Sequence, residues 1–247
     1  MPGMASVLAE RIFVRGHVDA VELAASHTRL IRLTSPAMAQ TPSHPGQQVR
    51  VLVSGPVDGL TTLLRGTLRT YSLWSHQDES VELCVYDHGE GPGNEWARGL
   101  RPGDEVAFRP PEGNFVLDAG APYHLFVGDE TATVPIGAML RALPPGSAAR
   151  ADAVLEAEDA SARLTLPDDP RLRVHWVDRG LGPTPNPDRL VRALGEMDLP
   201  QSPGTAYVAG EARTCQAVRA YLMREHGWPR RNIRVKPFWA PGKRGME

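Results

Sequence analysis

A change of hydrophobic period part-way along the chain limits its fold more than any other feature. Before about residue 120 the apolar residues fall in short runs that alternate or cluster β-branched side chains. Ile12–Val18, His27–Leu33, Gln48–Val53, Leu68–Leu73, Ser80–Tyr86 and Asp104–Phe108 read as strands, separated by turn signals such as HPG, SGP and RPGD. Short strands in series with one brief helix, Asn94–Leu100, predict a small antiparallel barrel. Beyond that point strands alternate with helices. Tyr123–Val127 precedes a helix over 136–143, with Ile136, Met139, Leu140 and Leu143 on one face. Ala151–Ala157 and Leu172–Val177 follow as strands, and a helix beginning at Asn186-Pro187-Asp188 aligns Leu190, Leu194 and Met197. Ala206–Ala209, a helix carrying Cys215, Val218 and Leu222 that ends near Gly227, and Ile233–Trp239 complete the series. That alternation predicts a mostly parallel sheet covered on both faces. The expected fold is an antiparallel β-barrel over 1–120 and an α/β domain over 121–247, joined in Asp118–Pro122.

Composition removes several classes of function. A net charge of −2 over 247 residues gives no general attraction to nucleic acid or anionic membrane. No apolar run approaches the roughly 18 residues of a membrane span, and the N-terminus has no long apolar core. A cytoplasmic protein with no membrane insertion and no nucleic-acid partner is expected. Cys84 and Cys215 have no CxxC neighbour, so neither a zinc site nor a disulfide framework is supported, and no protein-bound metal is expected.

Chemistry concentrates first in Leu68-Arg-Thr-Tyr-Ser-Leu-Trp74. On a strand Arg69 and Tyr71 share one face, roughly 6.5 Å apart. A guanidinium suited to phosphate oxygens then stands beside an aromatic plane suited to stacking, and Ser72 adds a hydroxyl and an N–H at that edge. A flavin nucleotide requires this combination. A surface arginine beside a half-buried tyrosine is the plainer alternative. Further on, Asp87-His-Gly-Glu-Gly-Pro-Gly-Asn-Glu-Trp-Ala97 leads three glycines into a short helix that Asn94 can cap, with Trp96 and Leu100 facing inward. Free amides at such a helix start can wrap a diphosphate. A third glycine turn, Gly128-Asp-Glu-Thr-Ala132, also opens a helix, yet Asp129 and Glu130 would repel phosphate there.

Taken in order, RTYS, HGEGPGNEWA, PGDEV with EGNF, GDETATVP, YVAGE and FWAPGK resemble the siderophore-interacting proteins over roughly residues 10–243. These are FAD-dependent ferric-siderophore reductases of the ferredoxin–NADP reductase superfamily. The resemblance implies an FAD-binding Greek-key barrel followed by a nicotinamide-binding α/β domain. It implies that Arg69, Thr70, Tyr71 and Ser72 hold FAD, and that Asp87, His88, Gly91, Pro92, Gly93, Asn94 and Trp96 form its diphosphate loop. Gly93-Asn94 stands where the family has Ala-Ser, and Ala240 where it has arginine. Thr131 and Trp239 are implied to lie against FAD.

The same resemblance makes Gly128, Asp129, Glu130 and Ala132 a seat for the nicotinamide of NADPH or NADH. The plainer alternative for the two acids is a helix-dipole role worth about 0.3–1 kcal/mol each. Pro135 then falls in a first helical turn capped by Thr131 or Thr133. Gly210 and Glu211 are expected near the dinucleotide phosphates. Arg179 and Arg213 are candidates for an adenosine 2′-phosphate, or else ion-paired surface arginines. Arg50, Lys236, Lys243 and Arg244 are expected to form a basic rim for a ferric siderophore, catecholate or hydroxamate. The implied activity passes electrons from NAD(P)H through FAD to chelated Fe(III), releasing Fe(II). Reduced ferredoxin as the donor, or siderophore binding without turnover, are the alternatives, and a monomer is expected.

Overall fold

The structure, a computed structural model, describes residues 12–54, 67–144, 149–181 and 184–243. It comprises two compact units, Met1–Val116 and Leu117–Glu247, dividing just ahead of the expected join.

The first unit is a closed barrel of β1 (Val14–Ala25), β2 (Thr28–Thr34), β3 (Gln48–Ser54), β4 (Thr67–Gln77), β5 (Ser80–Tyr86) and β6 (Glu105–Phe108). Its strands are antiparallel in the order β1-β2-β5-β4-β3-β6. β2 lies beside β5 rather than β3, which makes β2–β5 a Greek key. Inward positions of the alternating strands, Ile31, Leu33, Val49, Val51, Val81, Leu83 and Phe108, fill the interior. β4 runs past Leu73 to Gln77 because a register shift between Leu73 and Ser75 absorbs Trp74, and this breaks the alternation visible in the sequence. The helix α1 (Pro92–Gly99) packs on β3 and β5 and buries Ala97.

The second unit is a parallel sheet, β11-β10-β7-β8-β9, made of β7 (Tyr123–Gly128), β8 (Arg150–Ala157), β9 (Leu172–Asp178), β10 (Thr205–Glu211) and β11 (Ile233–Trp239). The helix α2 (Glu130–Arg141) packs against β7, β8 and β10. The helices α3 (Pro187–Gly195) and α4 (Ala212–Arg224) bury Leu190, Leu194, Val218 and Leu222 against Leu125, Val127 and Val208. Every residue of β7 and β10 is buried, as a central strand of a two-sided parallel sheet requires. From β7 the chain builds outward through β8 and β9, then returns to place β10 on the other side of β7. The carboxyl ends of β7 and β10 therefore flank a topological switch point, where open α/β sheets bind ligands.

Two helix starts differ from expectation. α1 begins at Pro92 with Gly91 as its N-cap, so Asn94 lies inside the first turn and does not cap it. α2 begins at Glu130, before Pro135, and ends at Arg141. Its cap is Asp129, whose carboxylate accepts the Thr131 and Ala132 amides; no threonine caps it. Pro135 is tolerated one turn in, at the loss of one backbone hydrogen bond.

Two buried polar groups mark the opposite, amino end of the sheet. Asp152 is fully buried and accepts from Tyr123 Oη at 2.7 Å and from Arg173 at 2.6 and 2.9 Å. Burial alone would raise its pKa, but the Arg173 and Tyr123 hydrogen bonds and the nearby guanidinium charges prevail and hold it below the usual carboxylate range. His124, also fully buried, lies beside the stacked rings of Phe126 and Tyr207, and among the described residues neither of its ring nitrogens has a hydrogen-bond partner.

Candidate functional site

In the barrel unit, β4 presents Arg69 and Tyr71 on one face, paired in register with Val51 and Val49 of β3. Tyr71 stacks on Trp96 of α1, with ring centroids 5.6 Å apart and planes inclined by 19°. Gly93, in the first turn of α1, closes the cluster: a Cβ there would lie 2.5 Å from Tyr71 Oη and 3.5 Å from Arg69 Cγ. Glycine at this position is what lets the arginine–tyrosine strand and the glycine loop approach so closely. Desolvation raises the Tyr71 pKa, with the Arg69 charge opposing, so the phenol stays neutral.

The loop is tied down by hydrogen bonds at its base and left open at its tip. Asp87 accepts from Arg98 at 2.7 and 2.5 Å, from Arg29 at 2.9 Å and from the Gly89 amide at 3.1 Å. The Arg98 hydrogen bonds are the chief cause of an Asp87 pKa far below the usual carboxylate range. Arg98 and Asn94 also donate to the Gly89 carbonyl, at 2.7 and 3.2 Å. Asn94, expected as a cap, thus braces the loop from within the helix. Gly89 and Gly91 take φ of 107° and 123°, a region that favours glycine. Among the described residues no side chain caps α1; Pro92 has no N–H and the Asn94 amide donates to the Gly91 carbonyl at 3.1 Å, which leaves the Gly93 amide for an anionic ligand. His88 is exposed beside them, and Ser72 and Thr70 pair with Gln48 and Arg50 on β3. Arg98 escaped the sequence reading, since an arginine in the last turn of a short helix carries no signal of the loop it holds. Close packing of Gly93 on Tyr71, open space at Gly89 and Gly91, a helix start without a side-chain cap and an adjoining guanidinium and aromatic ring together fit a flavin dinucleotide. A hollow of about 600 Å³ in this unit lies elsewhere, among Arg32, Thr34, Ser75, Gln77 and Glu82. There Arg32 is already paired with Glu82.

Arg50 is not a free cation for substrate, because its guanidinium lies 2.7 Å from Glu112.

In the α/β unit, Asp129 gathers the switch-point turns. Oδ1 accepts from the Thr131 amide, the Thr131 hydroxyl and the Ala132 amide at 3.0, 2.5 and 3.3 Å. Oδ2 accepts from the Glu211 amide and from Trp239 Nε1, both at 2.9 Å. Gly210, at φ 113°, leaves room for that carboxylate, whose atoms would lie within 2.5–2.7 Å of any Cβ. Gly128 is equally crowded, by Ala132 and the Ala209 carbonyl. Asp129, Thr131, Gly210, Glu211 and Trp239 therefore come together, but as one hydrogen-bonded knot whose central acid is already occupied by protein donors.

Glu130 accepts from the Glu158 amide at 2.8 Å and pairs with Arg179. Glu211 Oε2 accepts from the Thr214 amide at 2.8 Å, whereas its Oε1 is buried with no hydrogen-bond partner among the described residues. Glu211 shares a hollow of about 10 Å³ with Asp129, Glu156, Asn186, Thr214 and Trp239. Burial is the main cause of the raised pKa of Glu156; Arg189 and Arg179 lower it, and Asp129 and Glu130 add to the rise. Arg213 is exposed on the first turn of α4. Lys236 faces Ala209 in the β10–β11 register, Lys243 is exposed, and Arg244 lies outside the described residues. No helix among the described residues is long and apolar enough to cross a membrane.

A closed antiparallel barrel followed by a parallel α/β unit, in this strand order, is the fold shared with siderophore-interacting proteins of known structure. Residues 31–115 match the model of the siderophore-interacting FAD-binding domain, and residues 121–242 that of the siderophore-interacting protein. The chain belongs to the siderophore-interacting protein family. It is 30% identical over 182 residues to the ferric vibriobactin reductase ViuB of Vibrio cholerae. That match covers 71% of this chain and 65% of the relative, so the chain spans just under two thirds of ViuB. The siderophore-interacting protein SipS of Aeromonas hydrophila superposes with a TM-score of 0.80 at 22% identity, over 94% of this chain and 93% of that one. A siderophore utilization protein of T. fusca superposes with a TM-score of 0.79 at 23% identity, over 95% of each chain.

Proposed function

We propose that this protein is a ferric-siderophore reductase that uses FAD to pass electrons from a nicotinamide dinucleotide to chelated Fe(III). The observation that carries this reading is the approach of Arg69, Tyr71 and Trp96 to the open glycine loop at Gly93. In it Arg69 neutralises phosphate, Tyr71 gives the ring a neutral aromatic face, and the glycine loop with the Gly93 amide receives the diphosphate. Asp87 and Arg98 hold the loop in shape. Gly128, Glu130 and Glu211, with the Asp129 knot behind them, shape the carboxyl edge that receives the dinucleotide. When bound, FAD accepts a hydride and releases electrons singly, which couples a two-electron donor to a one-electron acceptor. Oxygen-rich chelators suit the hard trivalent ion better than Fe(II), so reduction loosens the metal. Lys236 and Lys243, for which no ion pair is found among the described residues, are proposed to attract the anionic chelate. ViuB, a ferric vibriobactin reductase by name, supports this reading through the aligned part of the chain.

The test is anaerobic mixing of the purified protein with NADH or NADPH, then with a ferric catecholate in the presence of a ferrous trap. The flavin absorbance is expected to bleach with the dinucleotide, and trapped Fe(II) to form only when both donor and ferric chelate are present. A protein that binds the chelate but releases no Fe(II) with NADH or NADPH, whether or not reduced ferredoxin can replace them, contradicts the proposal.

A further inference from the structure

In a sheet of this strand order, the adenosine ribose of a dinucleotide is read at the carboxyl end of the strand beside the first one. An acid there takes the 2′-hydroxyl, and an arginine accommodates a 2′-phosphate. Here that strand is β8. The residue after it, Glu158, lies next to Arg179, which follows β9.

Arg179 is not held ready for an anion. It pairs with Glu130, and its other terminal nitrogen lies 3.6 Å from Glu158 Oε2. Only 10% of its side chain is exposed, and the Glu158 amide donates to the same Glu130 carboxylate at 2.8 Å. Among the described residues one guanidinium is thus shared by two carboxylates, and these three groups together carry a net negative charge. The next side chains along this edge do not reverse it. Asp178 is paired with Arg163 at 2.6 Å, and Arg189 lies 3.6 Å from Glu156. A 2′-phosphate would have to displace Glu130 or Glu158 from Arg179 and leave that acid without its partner. Breaking such a buried pair is costly. A ribose diol brings two hydroxyl donors instead, and the Glu158 carboxylate, 27% exposed, can accept them without releasing Arg179. At the switch point Glu211 Oε1 is a further buried acceptor with no donor among the described residues, suited to a hydroxyl or amide N–H and not to an anion.

We propose that the Glu130–Arg179–Glu158 cluster selects a dinucleotide without a 2′-phosphate, so that the donor is NADH and not NADPH. This inference rests on the nicotinamide reading of the second unit. It withdraws Arg179 from the role of 2′-phosphate ligand and makes Glu158 the residue that sets specificity.

The test is calorimetric titration of the full-length protein with the oxidised dinucleotides NAD⁺ and NADP⁺, which bind without transferring electrons. NAD⁺ is expected to bind at least about tenfold more tightly, the scale of one hydrogen-bonding group well met or poorly met. Glu158→Gln, which removes one of the two charges on Arg179, is expected to narrow that ratio several-fold by improving NADP⁺ binding. Arg179→Ala is expected to leave the ratio no narrower. Equal or tighter binding of NADP⁺ by the wild-type protein would overturn the inference while leaving the nicotinamide reading intact. A ratio unmoved by Glu158→Gln would overturn the role given to Glu158. Failure of both dinucleotides to bind would overturn the nicotinamide reading and this inference with it.

Discussion

Replacing Asp129 by asparagine separates a helix cap from a knot. As N-caps the two residues are about equal, so a pure capping role predicts a change of only a few tenths of a kcal/mol. The structure demands more of this carboxylate, because both oxygens accept and the donors approach from two sides. Asparagine has one acceptor oxygen. If that oxygen serves the Thr131 and Ala132 amides, the NH₂ group meets the Glu211 amide and Trp239 Nε1, donor against donor. If it flips, the helix start loses its cap. A buried donor left without an acceptor costs about 1–3 kcal/mol. The Glu211 amide is buried, whereas half-buried Trp239 can recover water, so the expected loss for Asp129→Asn is about 1–3 kcal/mol. For a unit of this size that corresponds to a fall in melting temperature on the order of 10 °C. Thermal and urea unfolding followed by far-ultraviolet circular dichroism and tryptophan emission will measure it, with Asp129→Ala expected to lose at least as much. An asparagine variant within about 0.5 kcal/mol of wild type, the scatter of a neutral surface change, would refute the knot and leave only a cap.

His124 is held neutral below its ordinary pKa, chiefly by burial, with the Asp118 charge opposing. Its contribution to stability is therefore complete above about pH 6.5 and is lost as pH falls toward the folded value. His124→Phe is expected to flatten the loss of urea midpoint between pH 7.5 and 5.5, and an unchanged slope would count against it. The depressed pKa of Asp152 gives stability that is complete above about pH 4 and lost on further acidification. Asp152→Asn should cost about 1–3 kcal/mol at pH 7, the range for a buried pair after allowing for exposed Arg173, and acid titration of the variant should show a shallower fall. Arg98→Ala frees the base of the glycine loop, so it should weaken FAD binding several-fold in a fluorescence titration without unfolding the barrel. Unaltered affinity would show that the loop keeps its shape without the arginine.

The strands were legible because their side chains alternate or cluster by the rules of a half-buried or central strand, and the order of barrel and α/β unit followed from the change of period. The pairing of Arg69-x-Tyr71 with the glycine loop was legible as spacing, and the structure shows its means in the crowding at Gly93. What the sequence hid were partners distant along the chain. Nothing local to Arg50 announces Glu112, and nothing local to Arg179 announces Glu130 and Glu158. Each arginine could be read as available for an anion, Arg179 with an ion pair as the alternative, because its neutralising carboxylate comes from another segment. Asp129 misled in the opposite sense. Two acids after a glycine suggested a ligand-facing pair, whereas donors brought by β10 and β11 from more than eighty residues away had already filled its oxygens. Pro135 drew the helix start too late because proline favours a first turn, and the cap at Asp129 outweighed that preference.

The most direct test is the flavin content of the purified protein, read from its visible absorption, together with that of Arg69→Ala and Tyr71→Ala. Wild-type protein is expected to carry or take up FAD in equimolar amount, and each variant to bind it at least about tenfold more weakly while its circular dichroism stays native. Wild-type protein that takes up no FAD, or variants that retain it in full, would contradict the cofactor site on which the account is built.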